Sequence, residues 1–222
     1  MSKRILCYGD SNTWGYDPEN QAEGAAYEVR LPSAARWTGV LQKGLGEGYT
    51  VIEEALNGRT TMWNDPVKPY RNGLSYLPAC LESHAPLDIV IVMLGTNDMK
   101  PRICGRAFDS AEGAGKIAQV IRKSACGRGG AAPAVLIVSP VLIGSQIGEL
   151  PFSEEFGGAA AHEESRRLRG FLQAKAAANS CAFLDAAEYA EAAGDGIHMD
   201  AAGHGRLAKA LEEKVRELVR AG

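Results

Sequence analysis

The segment Gly9-Asp10-Ser11-Asn12 contains a serine where serine can act as a nucleophile. It follows an apolar run that predicts a strand, and a serine on a sharp strand-to-helix turn exposes its hydroxyl at the edge of the sheet. The backbone N–H of such a serine points into the electropositive start of the helix. Ser11 is therefore a candidate nucleophile and oxyanion donor, although Asp and Ser are also ordinary turn and helix N-cap residues.

The segment Asp195-Gly196-Ile197-His198 offers a candidate acid-base pair. A general base for serine needs a neutral imidazole whose other nitrogen is held by a carboxylate, and a spacing of three residues in a turning loop lets one segment supply both groups. The alternative is a surface Asp and His beside the start of the last helix, with Asp200 as the N-cap of that helix.

Two further turns carry candidate oxyanion donors. Asn97 lies in Gly95-Thr96-Asn97-Asp98, after the most apolar predicted strand, where its amide can donate to a developing negative charge. Gly58 lies after the second predicted strand, and its small size would let its backbone N–H approach the same oxygen. Each residue alone can equally be an ordinary β-turn residue.

These segments are positioned by a chain that alternates short apolar runs with longer amphipathic ones, the pattern of βαβ units and a parallel sheet. Strands are predicted over residues 4–9, 49–55, 88–95, 134–140 and 181–185. Helices are predicted over residues 35–44, 74–84, 110–126 and 162–178, and a last helix carries Leu207, Leu211, Val215 and Leu218 on one face. We predict an α/β fold, a flavodoxin-like three-layer α/β/α sandwich with a five-stranded parallel sheet, and residues 1–222 as a single domain.

The candidate residues all fall at predicted strand C-termini or in the last loop, where a parallel sheet gathers its site. Two irregular stretches, residues 14–34 and 141–161, also follow strand C-termini. They are either walls of a pocket, subunit contacts or variable surface loops. Independent turns would not be expected to supply a nucleophile, two oxyanion donors and an acid-base pair together at the same edge of the sheet.

In type and order, Ser11, Gly58, Asn97 and His198 resemble the four blocks of the SGNH, or GDSL-type, hydrolases. The flanking segments 4–16, 36–41, 51–54, 59–61 and 93–98 are similar to the bacterial arylesterase and acyltransferase branch. The resemblance covers residues 4–219 and implies the SGNH hydrolase fold, hydrolysis of short-chain and aryl esters, acyl transfer to alcohols or peroxide, and a homo-oligomer. The sequence departs from that branch at Asn12, in place of leucine, and at Asn57-Gly58, in place of Ser-Ala.

The resulting hypothesis is an acyl-enzyme mechanism without metal or cofactor. Ser11 attacks the ester carbonyl, His198 takes its proton, and Asp195 holds the imidazole. The Ser11 N–H, the Gly58 N–H and the Asn97 side chain receive the oxyanion. Candidate pocket residues are Asn12, Trp14, Tyr16, Trp63, Thr96, Phe152, Ile197 and Met199.

The sequence is also compatible with other functions. The same triad serves carbohydrate acetyl esterases of the superfamily, so an acetylated sugar is an alternative substrate. A flavodoxin-like module that binds a nucleotide or phosphate is a further alternative, but neither phosphate-binding glycine motif follows the first strand. Cys7 and Cys104 are weaker nucleophile candidates, and Cys7 lies within an apolar strand, where inert packing is expected.

Composition limits the partners and the compartment. The 24 Lys and Arg nearly balance the 27 Asp and Glu, so the charge pattern does not favour nucleic acid. The five cysteines are odd in number and scattered, which argues against a disulfide framework and favours a reducing cytoplasm. The apolar runs are shorter than the roughly 20 residues of a membrane span, and the N-terminal run is too short for a signal peptide.

Overall fold

A computed structural model describes residues 2–21 and 27–221. Its centre is one five-stranded sheet with strand order β2-β1-β3-β4-β5, in which every pairing is parallel. The strands are β1 (Lys3–Gly9), β2 (Tyr49–Ala55), β3 (Ile89–Met93), β4 (Ala134–Ser139) and β5 (Ala182–Asp185). The predicted α/β fold with a five-stranded parallel sheet is confirmed.

The C-terminal ends of the inner strands lie side by side. Gly9 pairs with Ala55 on one side and with Met93 on the other, so the segments that follow β1, β2 and β3 leave the sheet at the same edge. β3 ends two residues before the predicted end. Gly95 has a φ of 131°, a conformation that side-chain-bearing residues rarely adopt, and the chain turns there toward Asn97.

The helices pack on both faces of the sheet. They are α1 (Ser11–Trp14), α2 (Trp37–Leu45), α3 (Gly73–His84), α4 (Ala107–Lys123), α5 (Ser153–Phe156), α6 (Ala160–Ala178) and α7 (Ala201–Ala221). Side chains of β1 alternate between the two layers: Leu6 and Tyr8 belong to the core with α3, α4 and α6, whereas Ile5 and Cys7 belong to the core with α2 and α7. This alternation is the two-residue period of a strand, and it produces the predicted three layers.

The predicted boundaries of α4 are wrong by three residues at each end. The helix begins at Ala107, whose N–H donates to Glu164 Oε2 at 2.7 Å, so a side chain of α6 satisfies one of its first donors. It ends at Lys123, because the Ser124 hydroxyl bonds back to the Ile121 carbonyl at 2.8 Å. By contrast, Asp200 accepts from the Gly203 N–H at 2.6 Å, as predicted for the N-cap of the last helix.

The two irregular stretches differ in structure. In the first, Tyr16 and Arg30 form an isolated antiparallel bridge, and residues 22–26 lie outside the described residues. The second contains a 3₁₀ turn (Ile147–Glu149) and α5, which the sequence did not predict. Its Gly144 N–H donates to the Gly196 carbonyl at 2.8 Å, so this stretch is joined to the segment that carries His198.

All five cysteines are free thiols. Within residues 2–21 and 27–221, no helix is long and apolar enough to cross a membrane.

Candidate active site

Ser11 is the first residue of α1, directly after β1. The Asp10 carboxylate accepts from the Asn12 N–H at 3.0 Å, which caps this short helix and fixes the turn that presents Ser11. Ser11 is buried but lines a small pocket. Because the turn leaves the sheet between β2 and β3, groups from the loops after both strands can reach the serine.

Ser11, His198 and Asp195 form a continuous chain of hydrogen bonds. Ser11 Oγ lies 2.9 Å from His198 Nε2, and His198 Nδ1 lies 2.6 Å from Asp195 Oδ2. Asp195 Oδ1 also accepts from the backbone N–H groups of Ile197 and His198, each at 2.9 Å. This arrangement can pass a proton from the hydroxyl to the imidazole while the carboxylate holds the ring.

The electrostatics of Asp195 favour its charged form. Burial raises the pKa of this carboxyl, but the hydrogen bonds from the His198 ring and from the two backbone N–H groups lower it further, and the net pKa lies below its usual value. An ionised Asp195 stabilises the imidazolium that forms when His198 takes a proton.

Two rings enclose the imidazole. Tyr16 stacks on His198 with ring centroids 4.0 Å apart, and Phe152 meets it edge-on at 5.8 Å. They come from the two irregular stretches. Together with the hydrogen bonds to Asp195 and Ser11, they hold the ring in one orientation and shield it from water.

The candidate oxyanion donors Gly58 and Asn97 line the same pocket as Ser11. Asn97 begins a 3₁₀ turn after β3, and its Nδ2 donates to the Arg59 carbonyl at 3.2 Å and to Asp10 at 3.5 Å. Gly58 has a φ of 80°, a conformation that favours glycine, and among protein atoms a Cβ at this position would meet only the Arg71 side chain, at 3.5 Å or more. The approach of its N–H to a substrate oxygen stays a prediction.

Two buried side chains align the loops that carry Gly58 and Asn97. Arg59 donates to the Gly9 carbonyl at 3.0 Å and lies over the Tyr8 ring at 4.2 Å. Asp98 accepts from the Thr61 N–H and hydroxyl. Neither residue was singled out from the sequence, although both adjoin a predicted donor.

Of the residues predicted for the pocket, Tyr16, Phe152 and Ile197 line it, whereas Trp14, Trp63, Thr96, Asn12 and Met199 do not. The Arg30 guanidinium lies over the Trp14 ring, with its central carbon 5.0 Å from the ring centroid. The Trp63 carbonyl accepts from the Thr60 hydroxyl, and Thr96 is the buried N-cap of the 3₁₀ turn. Met199 packs in the core with α7.

Asn12 lies behind the catalytic candidates instead of in the pocket. Its Nδ2 donates to the Ile197 carbonyl at 3.2 Å, and its Oδ1 accepts from the Met199 N–H at 3.0 Å. The two bonds join α1 to the peptide groups on either side of His198.

The sequence did not predict the charged residues of the pocket, Glu28, Lys68, Lys100 and Glu155, or its further residues Asn57 and Phe156. Lys100 is 4% exposed, and its Nζ lies 2.9 Å from Glu155 Oε1. Burial lowers the pKa of Lys100, and Glu155 opposes that effect. Arg102 contacts both Glu155 and Asp65, so the ion pairs connect α5 with the segment after β3.

This chain is similar to a known protein family and to several solved structures. Residues 7–206 match the GDSL-like lipase/acylhydrolase family. Among solved structures, a carbohydrate acetylesterase from Sinorhizobium meliloti is 38% identical, with a TM-score of 0.89 over 98% of this chain and 100% of that one. An aryl esterase from M. smegmatis is 41% identical, with a TM-score of 0.88 over 98% of this chain and 100% of that one. No curated protein gave a significant match.

Proposed function

Since this chain belongs to the GDSL-like lipase/acylhydrolase family and is a carboxylic ester hydrolase, we propose that it hydrolyses short-chain and aryl esters through an acyl-enzyme on Ser11. The observation that carries the proposal is the hydrogen-bonded chain from Ser11 through His198 to Asp195 at the wall of a small pocket. We also propose that the whole chain is one domain, because its described strands form one sheet.

In the first half-reaction, Ser11 Oγ bonds to the ester carbonyl carbon while its proton moves to His198 Nε2. The negative charge that develops on the carbonyl oxygen is received by the Ser11 N–H, the Gly58 N–H and the Asn97 amide. Asn97 Nδ2 then gives up its long hydrogen bond to Asp10, at 3.5 Å, and donates to the oxyanion instead. The tetrahedral intermediate collapses, and His198 returns the proton to the leaving alcohol.

In the second half-reaction, water attacks the acyl-enzyme with His198 as general base, and the acid leaves Ser11. The same step with an alcohol in place of water transfers the acyl group to that alcohol, and peroxide gives a peracid. We propose acyl transfer as a secondary activity, because Tyr16 and Phe152 shield the imidazole and so restrict water beside the acyl-enzyme.

The proposed preference for short acyl groups rests on the size of the pocket. Its volume is only about 40 Å³, with Phe152, Phe156 and Ile197 in its wall. Sites that bury a whole drug-sized ligand enclose roughly 300 Å³ or more. An acetyl group suits the smaller volume, whereas the alcohol portion of the ester must extend toward the opening.

An acetylated sugar is the second candidate substrate, and the charged pocket residues favour it. Glu28, Lys68 and Asn57 line the pocket together with Lys100 and Glu155. These side chains can donate to and accept from sugar hydroxyls, which an aryl leaving group lacks. Hydrolysis of an acetylated sugar and of an aryl acetate by the same preparation would rank the two substrates.

The first test compares hydrolysis of p-nitrophenyl acetate by the wild type and by Ser11→Ala, both checked for folding by circular dichroism. We expect the variant to lose activity and the wild-type rate to rise with pH through one ionisation, because a general base must be neutral to accept a proton. A folded variant with most of the activity would contradict Ser11 as nucleophile. Two inactive proteins would contradict aryl acetates as the substrate class.

The assembly and the compartment of this protein remain predictions. We propose a homo-oligomer, supported by the exposure of Val67 and Tyr70, at 69% and 91%, in the loop that also brings Lys68 to the pocket. Light scattering of the purified chain would test it. A cytoplasmic location is supported by the five free thiols, since oxidising compartments favour disulfides.

A further inference from the structure

A second group of chemically competent side chains, Glu54, Cys80 and His84, lies outside the pocket that contains Ser11. Glu54 belongs to β2, at the edge of the sheet, and the other two belong to α3. One ligand atom from each, a carboxylate oxygen, a thiol sulfur and an imidazole nitrogen, lies within 4.8 Å of both others.

The fold brings these three groups together. Cys80 and His84 are four residues apart on one helix, so their side chains share a face. That face is turned to the edge strand, where His84 Nε2 lies 2.7 Å from Glu54 Oε1. The ligand atoms are therefore close enough for side-chain rotation to direct them at a common ion.

The thiol is the unusual member of the group. Cys80 is completely buried and is a free thiol, and among the described residues no hydrogen bond to its Sγ is seen. Its sulfur is therefore free to bind an ion together with the neighbouring carboxylate and imidazole, whose ligand atoms lie within 4.8 Å of it.

The donor set selects the ion. Cys sulfur, His nitrogen and carboxylate oxygen are the ligands of zinc, at bond lengths of about 2.0 to 2.3 Å, which place neighbouring ligand atoms roughly 3.3 to 3.8 Å apart. In the present structure the His84 and Glu54 ligand atoms are 2.7 Å apart, and all three ligand atoms lie within 4.8 Å of one another, so the group is already close to that spacing. A soft sulfur ligand disfavours Mg²⁺ and Ca²⁺, which take oxygen ligands.

We propose that Glu54, Cys80 and His84 bind one Zn²⁺ ion per chain, with a water molecule as the fourth ligand. On binding, the Cys80 proton passes to solvent and a sulfur–zinc bond replaces the S–H bond. The contact between Glu54 Oε1 and His84 Nε2 is broken, and each of these atoms binds the metal with a lone pair instead. The charges of the ion, the thiolate and the carboxylate then sum to zero, which limits repulsion with Arg59 nearby.

A neighbouring cleft gives the ion a route to the site. The cleft has a volume of about 670 Å³, and Glu54, Ser75 and Tyr76 are in its wall. Tyr76 Oη lies 3.3 Å from Glu54 Oε2, so the carboxylate already extends to this opening. Bound zinc would join the edge strand β2 to α3 and would stabilise the folded state, because the three ligands come together only there.

The test uses the untagged full chain, stripped of metal with a chelator and dialysed. Calorimetric titration with Zn²⁺ should give one site per chain, and added Co²⁺ should give a sulfur-to-cobalt charge-transfer band. Cys80→Ser should remove that band and weaken Zn²⁺ binding by more than the roughly 100-fold that loss of an outer-shell partner costs. His84→Gln should also weaken binding, and it tests the site at a partly exposed residue.

The controls are Cys181→Ser and His162→Gln, which remove a half-buried thiol and an imidazole outside the group. Both should bind Zn²⁺ as the wild type does. Retention of p-nitrophenyl acetate hydrolysis by every variant verifies folding, since none of these residues touches the proposed catalytic groups. The proposal is overturned if the wild type binds no Zn²⁺, or if the Co²⁺ band and the affinity persist in Cys80→Ser.

Discussion

Asn12 holds the backbone on both sides of His198. Its amide nitrogen donates to the Ile197 carbonyl at 3.2 Å, and its amide oxygen accepts from the Met199 N–H at 3.0 Å. Asn12 directly follows Ser11 in the chain. The side chain that holds the backbone around His198 therefore comes from the same turn that presents Ser11. The distance between Ser11 and His198 therefore depends on a side chain that does not line the pocket.

Asn12→Ala and Asn12→Leu are expected to lower kcat by about 10- to 100-fold, the range in which misplacement of a catalytic group falls. KM should change little, because Asn12 does not touch the pocket. Steady-state kinetics with p-nitrophenyl acetate would measure both constants. Asn179→Ala, which removes a side-chain hydrogen bond at the end of α6, is the matched control. An unchanged kcat in both Asn12 variants would show that Asp195 and Ser11 are sufficient to position His198.

Asp195→Asn tests the role of the charge that faces the imidazole. The amide nearly preserves the shape but cannot stabilise the imidazolium, and it favours the wrong imidazole tautomer. We expect kcat to fall by about 10⁴-fold, as in other serine hydrolase triads. Single-turnover kinetics would show the loss in acylation, and Asp200→Asn, in the N-cap of α7, is the control. A loss of less than about 10-fold would mean that the backbone alone orients His198.

The parts of the site that the sequence predicted come from local motifs. Ser11, Gly58, Asn97, Asp195 and His198 each lie in a short turn at a strand end or before a helix, and parallel strands bring such turns to one edge. Gly9, Ala55 and Met93 lie side by side at that edge. Local pattern and topology were therefore sufficient to predict that these residues lie close together.

What the sequence did not predict depends on side-chain direction and on long-range pairing. Asn12 was expected in the pocket, but its side chain is turned toward the segment that contains His198. Lys100 and Glu155 are 55 residues apart and carry no motif, so their pairing follows only from the path of the 141–161 stretch. The start of α4 likewise depends on Glu164, a residue of another helix. Neither composition nor periodicity contains this information.

Asp98 should make stability depend on pH. Burial raises its pKa to about 7, against hydrogen bonds from Thr61 that lower it. The folded protein therefore retains a proton that the unfolded chain releases near pH 4. The stabilising contribution is complete below about pH 4 and is lost as the pH rises through about 7, with a slope of at most roughly 1.4 kcal/mol per pH unit.

Asp98→Asn removes this titration. Urea unfolding at several pH values from about 4 to 8 should show that the wild type loses stability relative to the variant as the pH rises. The difference between the two proteins is the relevant quantity. Asp10, with a pKa raised by burial to about 6, acts in the same direction, whereas His204, with a pKa lowered by burial to about 4, acts in the opposite one. Parallel profiles for the two proteins would contradict a raised pKa at Asp98.

Phe152 should set the length of acyl group that the enzyme accepts. Its ring lines the pocket and meets His198 edge-on, and α5 begins at the next residue, where the ion pair between Glu155 and Lys100 holds the segment in place. Phe152→Ala removes the ring but leaves Ser11, His198 and the ion pair intact. The ratio of kcat/KM for p-nitrophenyl butyrate to that for the acetate should rise by about 10-fold, the effect of one well-packed methylene group.

Phe108→Ala, which removes a phenyl ring that packs on Phe171 away from the pocket, should leave the ratio unchanged. If the ratio also stays constant in Phe152→Ala, the acyl group occupies another part of the pocket, and the wall formed by Ile197 and Phe156 is the next to change.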